Sequence, residues 1–303
     1  MNIQQALKAS TNKLKQKKIP SANLDAEVLL LEALNKNLDK SWLYIHNDYE
    51  LNKDEEKLFN DFINQRLKYK PVAYIINRKE FYGYDFYVDE NVLIPRPETE
   101  LIVDEVLKIV GVQNFAPLLL DIGIGSGCII ISILNELTKD KKNKLIKNAF
   151  ANDISKKAIE VAKINAKKYD LDKKIKFIND DLEKVINEKI FSDLGQIIIT
   201  ANLPYIKNDD YKTLRPNVRK YEPAIALKAG KDGLDYIKKL INKISEIQLK
   251  LNRNIYLFLE ADPEQMNEIT TILSKKITNI NIKIIKDLSG KERIISVKLK
   301  HDF

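Results

Sequence analysis

Along the first 70 residues the apolar positions recur with a helical period. In "SANLDAEVLLLEALNK", Leu24, Val28 and Leu31 share that spacing behind Pro20-Ser21, which serves as chain entry and N-cap. "DEEKLFNDFINQRLKYK" repeats the pattern through Leu58, Phe62 and Ile63, and Pro71 closes it. This predicts a small helical bundle over residues 1–71. The texture then changes. "AYIINRKEFYGYDFYVDENVLIPRPETE" is dense in aromatic and β-branched residues and is broken by a glycine and by Asp and Asn, so residues 72–97 are expected to form a β-hairpin connector. A helix should begin within "PRPETELIVDEVLKIV", where Pro97, Glu98 and Glu100 suit its positive end.

From residue 117 onward, continuous apolar runs alternate with amphipathic stretches. The runs "PLLLDIG", "KNAFANDI", "KIKFIND", "GQIIITAN", "NIYLFLEAD", "NIKIIKDL" and "RIISVKL" read as strands, and "SGCIIISILNEL", "SKKAIEVAKINAKKY" and "GLDYIKKLINKISEIQLKL" as helices. Strands apolar on both sides, separated by helices, predict a mostly parallel sheet covered on both faces. The last two strands are so close in sequence that one should be antiparallel. The expected fold is α/β, a Rossmann-like seven-stranded sheet over residues 98–303. The lysine-rich run at 138–148 reads as a solvated extension between the first helix and the second strand.

Composition narrows this only a little. A net charge of +8 and a pI near 9.1 permit RNA contact, yet stretches such as "KKAIEVAKINAKK" put lysines on solvated helix faces, so charge does not select a partner. The single cysteine, Cys128, cannot form an internal disulfide, which fits a reducing cytoplasm. Two histidines and one cysteine, widely separated, predict no metal site. No apolar run approaches the roughly 18 residues of a membrane span, and the N-terminus lacks a signal-peptide pattern.

"LLLDIGIGSGCII" sets Asp121, Gly123, Gly125 and Gly127 where a strand becomes a helix. Glycines there let the backbone turn tightly and approach a ligand. The third glycine comes one residue too early for the dinucleotide fingerprint; with the acid ahead of it, the loop resembles the S-adenosylmethionine loop of Rossmann-like methyltransferases. Later strands end in further acids. Asp153 could accept both hydroxyls of a ribose, and Asp180 or Asp181, followed by Leu182, would lie beside an adenine. A single such acid is more often a helix cap. Three at successive strand ends favour a nucleotide-bearing ligand.

The fourth strand ends in Asn202-Leu203-Pro204-Tyr205. An amide nitrogen is a poor nucleophile because its lone pair is delocalised into the carbonyl. Two acceptors for its N–H groups, the Asn202 side-chain oxygen and the Leu203 carbonyl, would orient it and localise that lone pair. Pro204 biases Leu203 toward an extended conformation, and Tyr205 would wall a planar group. The bland alternative is a turn that merely ends the strand. The tetrapeptide resembles that of methyltransferases acting on planar nitrogens, and this form also occurs in ribosomal RNA adenine dimethyltransferases.

"LDAEVLLLEAL", "KPVAYIINRKEFYG", "VLIPRPETELIVDEVL", "DIGIGSGCIIISIL", "NVRKYEPAIAL", "GKDGLDYIKKLI" and "KDLSGKERII" together resemble the release-factor glutamine methyltransferases, the HemK-like family, over nearly the whole chain. "IPRPETE" is the most specific stretch; the sister family that modifies a large-subunit ribosomal protein continues differently after Ile-Pro-Arg. The resemblance implies N5-methylation of the glutamine in the Gly-Gly-Gln motif of class I peptide chain release factors; the chain is expected to act as a cytoplasmic monomer, its N-terminal helices docking the substrate protein. The resemblance implies that Gly123, Ile124, Gly125, Ser126 and Gly127 line the methionine part of S-adenosyl-L-methionine, that Asp121 also serves the cofactor, that Asp153 holds its ribose and that Asp181 and Leu182 flank its adenine. Asn202 to Tyr205 would hold the glutamine amide, with Asn202 also beside the cofactor. Arg96 and Pro97, with Phe81, Tyr82 and Phe86, would shape the pocket wall, although each aromatic could equally belong to an apolar seam. "RKYEP" (219–223) would close the loop after the site, unless Glu222 simply caps a turn. Leu203 departs from the family's usual proline, and Asn77 stands where a glycine is common. The alternatives are an RNA adenine methyltransferase, a ribosomal-protein glutamine methyltransferase and a non-catalytic adaptor.

Overall fold

The structure, a computed structural model, describes residues 1–34, 38–112, 117–139, 146, 148–187, 190–191, 195–248, 250–251 and 253–300. Most of the lysine-rich run at 138–148 therefore lies outside the described residues. The chain divides into two units, Met1–Arg78 with Leu214–Tyr221, and Lys79–Thr213 with Glu222–Phe303.

The first unit is helical, with helices Ile3–Gln16, Ala22–Leu34, Lys40–Ile45 and Lys53–Leu67 and a short turn Val72–Ile75. Asn2 with Gln5 and Asn52 with Glu55 form reciprocal capping boxes that satisfy the free N–H groups at two helix starts. The second helix is where expected, but it turns a different face inward. Leu24 is exposed and Val28 and Leu31 are half-buried, whereas Ala22, Ala26, Leu29, Leu30 and Ala33 are buried. The segment carries two interleaved apolar ladders. The one containing alanines allows the closer approach of backbones and is the one the bundle uses. In the helix Lys53–Leu67 Ile63 is buried and Phe62 packs half-buried against the bundle as expected, but Phe59 takes the inward place expected of Leu58, which is exposed. A buried ion pair, Arg66 Nε to Asp25 Oδ2 at 2.7 Å, joins these two helices, and Ser21 donates a second bond to the same carboxylate.

The second unit opens with the expected hairpin, β1 (Arg78–Phe81) and β2 (Tyr84–Tyr87). Its two-residue turn, Tyr82-Gly83, has both φ angles positive, +55° and +73°, the geometry whose twist matches a hairpin. Seven strands follow: β3 (Leu118–Ile122), β4 (Asn148–Asp153), β5 (Ile175–Asn179), β6 (Ile197–Ala201), β7 (Ile255–Glu260), β8 (Ile280–Lys286) and β9 (Glu292–Leu299). They form one sheet in the order β5-β4-β3-β6-β7-β9-β8, with β3 to β7 parallel and β9 antiparallel to both its neighbours. Side-chain alternation splits the core. Leu118, Leu120 and Ile122 pack with the helix Asp235–Gln248, while Leu119, Ile198, Tyr256 and Phe258 face the layer of helices Glu100–Val112 and Cys128–Lys139. The chain winds outward from β3 through β4 to β5, then returns to place β6 on the other side of β3. Between β3 and β6 the winding reverses: the two strands stay paired to their last residues, and the chain leaves them toward opposite faces of the sheet, which opens a crevice at their carboxyl ends. Among the described residues no helix is long and apolar enough to cross a membrane.

Candidate functional site

The crevice holds a cavity lined entirely from the second unit. Gly123, Gly125 and Gly127 leave β3 with φ of +73°, +52° and +82°, which L side chains rarely adopt. Beyond that shared strain they differ. A Cβ on Gly125 would meet nothing nearer than the Gly123 carbonyl at 4.0 Å; it would occupy the cavity. A Cβ on Gly123 would press on Leu203 Cδ2 at 3.3 Å, so this glycine lets the loop lie against the tetrapeptide. A Cβ on Gly127 would fall 2.8 Å from Ile131 Cδ1 and 3.5 Å from the Ala162 Cβ. Gly127 does not line the cavity; it serves the packing of helix Cys128–Lys139 on helix Lys156–Lys168. Ile124 and Ser126 do line it.

The acids divide in the same way. Asp153, the last residue of β4, faces the cavity; its Oδ2 accepts the Gly125 N–H at 3.0 Å and its Oδ1 the Ser155 N–H at 2.8 Å. Burial pushes its carboxyl up from the usual range, and those backbone donors oppose the shift. Asp181 and Leu182 also reach the cavity wall, and Asp181 additionally caps the turn Leu182–Val185 through the Glu183 N–H. Asp180 joins them there, held by Lys184 at 3.0 Å. Asp121 does not reach it. It is buried on the face it shares with Leu119, opposite Thr200 in the β3–β6 register, and the Thr200 hydroxyl donates to its Oδ1 at 2.7 Å. Burial raises its carboxyl to about 7.

Asn202, Leu203 and Pro204 form the opposite wall. The Asn202 Nδ2 donates to Thr99 Oγ1 at 3.0 Å, which leaves its Oδ1 as the free end of the amide. The Tyr205 ring is not on the wall but packs against the apolar core beside Leu203, its hydroxyl acidity suppressed mainly by burial. Its carbonyl is held by Gln265 Nε2 at 3.1 Å, so Tyr205 anchors the turn. Arg96 lines the cavity, and its Nη2 binds both oxygens of the buried Glu222, at 2.7 and 2.9 Å; Glu222 also accepts the Ile94 N–H. The carboxylate thus fastens the strand-like approach to Pro97, which itself lies off the cavity at the start of a 3-10 turn. Phe81 and Phe86, in edge contact at 6.1 Å between centroids, are fully buried in the core, and Tyr82 is tied by Glu100 and Asp104. None of the three touches the cavity. Residues 219–221 belong to the first unit, where the Tyr221 hydroxyl donates to the Lys68 carbonyl.

Several wall residues were not singled out from the sequence: Asn91, Thr99, Asn152, Ile154, Ile225 and Tyr236. Thr99 lay inside "IPRPETE", so that motif carried the signal without the role. Ile154 and Ile225 are exposed apolar residues at the cavity, a feature visible only once the loops are brought together. The arrangement puts hydrogen-bond acceptors at one end, a backbone cradle in the middle and carboxylates at the other end. It suits an elongated ligand beside a small planar guest.

Residues 5–76 match the family described as PrmC N-terminal domain. The chain is 33% identical to a release factor glutamine methyltransferase of Clostridium acetobutylicum, over 97% of this chain and 98% of that one. It is 40% identical to a release factor glutamine methyltransferase of Leptospira interrogans, over 95% of each. Among solved structures, the hMettl16 catalytic domain in complex with the MAT2A 3'UTR hairpin 6 superposes with a TM-score of 0.55 at 14% identity, covering 88% of this chain and 95% of that one, a likeness of fold alone.

Proposed function

This chain belongs to the release factor glutamine methyltransferases, and from that premise we propose that it methylates the side-chain amide nitrogen of the Gly-Gly-Gln glutamine in class I release factors, as a cytoplasmic monomer using S-adenosyl-L-methionine. The observation that carries the reading is the Asn202 amide: its Nδ2 is engaged by Thr99, and its Oδ1 remains to accept an N–H at the wall of a cavity bordered by the glycine loop. The residues present suit the cofactor. A side chain on Gly125 would fill the cradle, and each Asp153 oxygen, bonded once, keeps lone pairs for a hydroxyl donor. When bound there, S-adenosylmethionine would supply an electrophilic methyl carbon.

The chain's own residues then do two things. Asn202 Oδ1 and the Leu203 carbonyl take the two N–H groups of the glutamine amide, which fixes the nitrogen and favours the resonance form with its lone pair localised. Pro204 holds Leu203 extended, so the carbonyl stays presented although the residue is not itself a proline. Transfer would exchange the S–CH3 bond of the sulfonium for an N–CH3 bond and leave a neutral thioether; the methylated nitrogen would then be acidic and lose one proton to solvent, so no side-chain base is required. RNA contact by the basic surface remains a secondary expectation.

The test is transfer of labelled methyl from S-adenosylmethionine to purified release factor, to the same factor with its glutamine changed to alanine, and to ribosomal RNA. Label on the first alone is expected. Label on RNA adenines, or cofactor binding without transfer to any of them, would overturn the reading.

A further inference from the structure

A short backbone ladder follows the turn Asn202–Tyr205. The Ile206 N–H donates to the Leu227 carbonyl at 2.9 Å, the Ala229 N–H to the Ile206 carbonyl at 2.9 Å, and the Asn208 N–H to the Gly230 carbonyl at 2.8 Å. It joins the segment bearing Leu203 and Pro204 to the one bearing Ile225 and Ala226, and all four residues line the cavity. One side chain fastens the two segments together. Gln265 Nε2 lies 3.1 Å from the Tyr205 carbonyl and 3.1 Å from the Asp232 carbonyl, and it donates one proton to each. Two carbonyls around one terminal atom identify that atom as the nitrogen. Among neutral side chains only Asn and Gln carry two protons on one atom. Gln265 is buried, and its Oε1 has no hydrogen-bond partner among the described residues. A methionine would fill the same space without burying that oxygen, so the two protons are what distinguishes glutamine at this position. The turn holding Gln265 is itself capped, Asp262 accepting the Glu264 N–H at 2.9 Å. Gly233 permits the approach: at its φ of +78°, a Cβ would fall 2.3 Å from the Tyr205 oxygen and 2.4 Å from Gln265 Nε2.

We propose that Gln265 is a positioning residue: by clamping the Tyr205 and Asp232 carbonyls together, it holds the Leu203 carbonyl in the direction that receives the substrate N–H. This rests on Asn202 and Leu203 being the substrate acceptors. The clamp acts at short range. Between the Leu203 and Tyr205 carbonyls the backbone has few soft torsions, because the peptide units are planar and the Pro204 ring fixes one φ. With the Tyr205 carbonyl held, the Leu203 carbonyl has little freedom left. Loss of the clamp therefore loosens an acceptor without touching the glycine loop or Asp153.

Single-turnover transfer across a range of release-factor concentrations, with S-adenosylhomocysteine affinity measured by calorimetry, tests this. Gln265→Met, which keeps the length and removes both protons, should slow transfer at saturating factor on the order of tenfold. Gln265→Glu keeps the shape but has at most one proton for two carbonyls, and it should also be slower than the wild type. In both, half-saturation by the factor and the affinity for S-adenosylhomocysteine should stay within about threefold of the wild type. Gly233→Ala displaces the same contact, so Gln265→Met combined with it should be about as slow as the slower single variant. Wild-type rates in both Gln265 variants, a loss of S-adenosylhomocysteine affinity matching the loss of rate, or additive losses in the double variant would each overturn the positioning role. If the variants do not fold, the wild-type chain decides: both Gln265 side-chain amide protons should exchange slowly with solvent by NMR, and fast exchange of either would overturn the clamp. Failure of the wild-type protein to methylate the factor would instead remove the acceptor reading beneath it.

Discussion

Asp121 and Asp153 sit near the carboxyl ends of adjacent parallel strands, and both are acids that a nucleotide-binding reading would recruit. Asp121 is still inside its strand. It shares the face of Leu119, points into the helix-covered layer and is answered by Thr200 across the sheet. Asp153 is the last residue of β4, where pairing ends, and it opens onto the cavity while holding the Gly125 N–H. Two residues of the same chemistry thus do different work because one precedes the strand end and the other forms it. The glycine loop repeats the lesson: Gly125 faces open space, and Gly127 faces Ile131.

That division can be broken by substitution. The largest effect is expected of Gly125→Val, which should abolish measurable cofactor binding while the protein still melts cooperatively; Gly127→Ala should instead lower the melting temperature, with strain at its positive φ of roughly 1–2 kcal/mol. Equal loss of binding in both would erase the distinction. Next, Asn202→Ala should cut methyl transfer on the order of 10²-fold, as for loss of one preorganised group, with cofactor affinity changed only a few-fold. Parallel losses in rate and affinity would assign Asn202 to the cofactor. Asp153→Ala should weaken cofactor binding by about tenfold or more, whereas Asp121→Asn should leave it within about threefold, as titration calorimetry can establish.

A further effect concerns stability and its dependence on pH. The Asp121 carboxyl is raised to about 7 in the folded state, above its ordinary value, so the stability it contributes is whole in acid. That stability is lost as pH rises from about 4 through 7, at no more than about 1.4 kcal/mol per pH unit. Asp121→Asn, which keeps an acceptor for Thr200, should therefore gain on the wild type between pH 4 and 8. Melting curves that stay parallel across that range would contradict the burial argument.

The seven strands of the large sheet were legible, β3, β6 and β7 as buried and nearly continuous apolar runs and β4, β5, β8 and β9 as apolar residues mixed with polar ones, and the closeness of the last two announced the antiparallel β9. Legibility failed where two patterns overlapped, as in "LDAEVLLLEAL", whose inward ladder is the alanine-bearing one and not Leu24, Val28 and Leu31. At the site, the strand-end residues Asp153, Asp181 and Asn202 could be named because their position in a βα unit fixes where they lie. The period-2 alternation from Leu119 also contained the true direction of Asp121, but the acid-before-glycine pattern pointed the other way. Thr99 stood inside "IPRPETE", but nothing local gave its partner. It meets Asn202 only through long-range folding, 103 residues separating the two. Asn77 illustrates a departure that costs little: its φ of +50° is one that asparagine tolerates better than most residues.

The most direct test is a crystal structure of this chain with S-adenosylhomocysteine and a Gly-Gly-Gln peptide. The glutamine nitrogen should lie within hydrogen-bonding distance of both Asn202 Oδ1 and the Leu203 carbonyl, facing the cofactor sulfur, with Nδ2 still on Thr99. A glutamine nitrogen turned away from the sulfur, or bound to neither oxygen, would contradict the account.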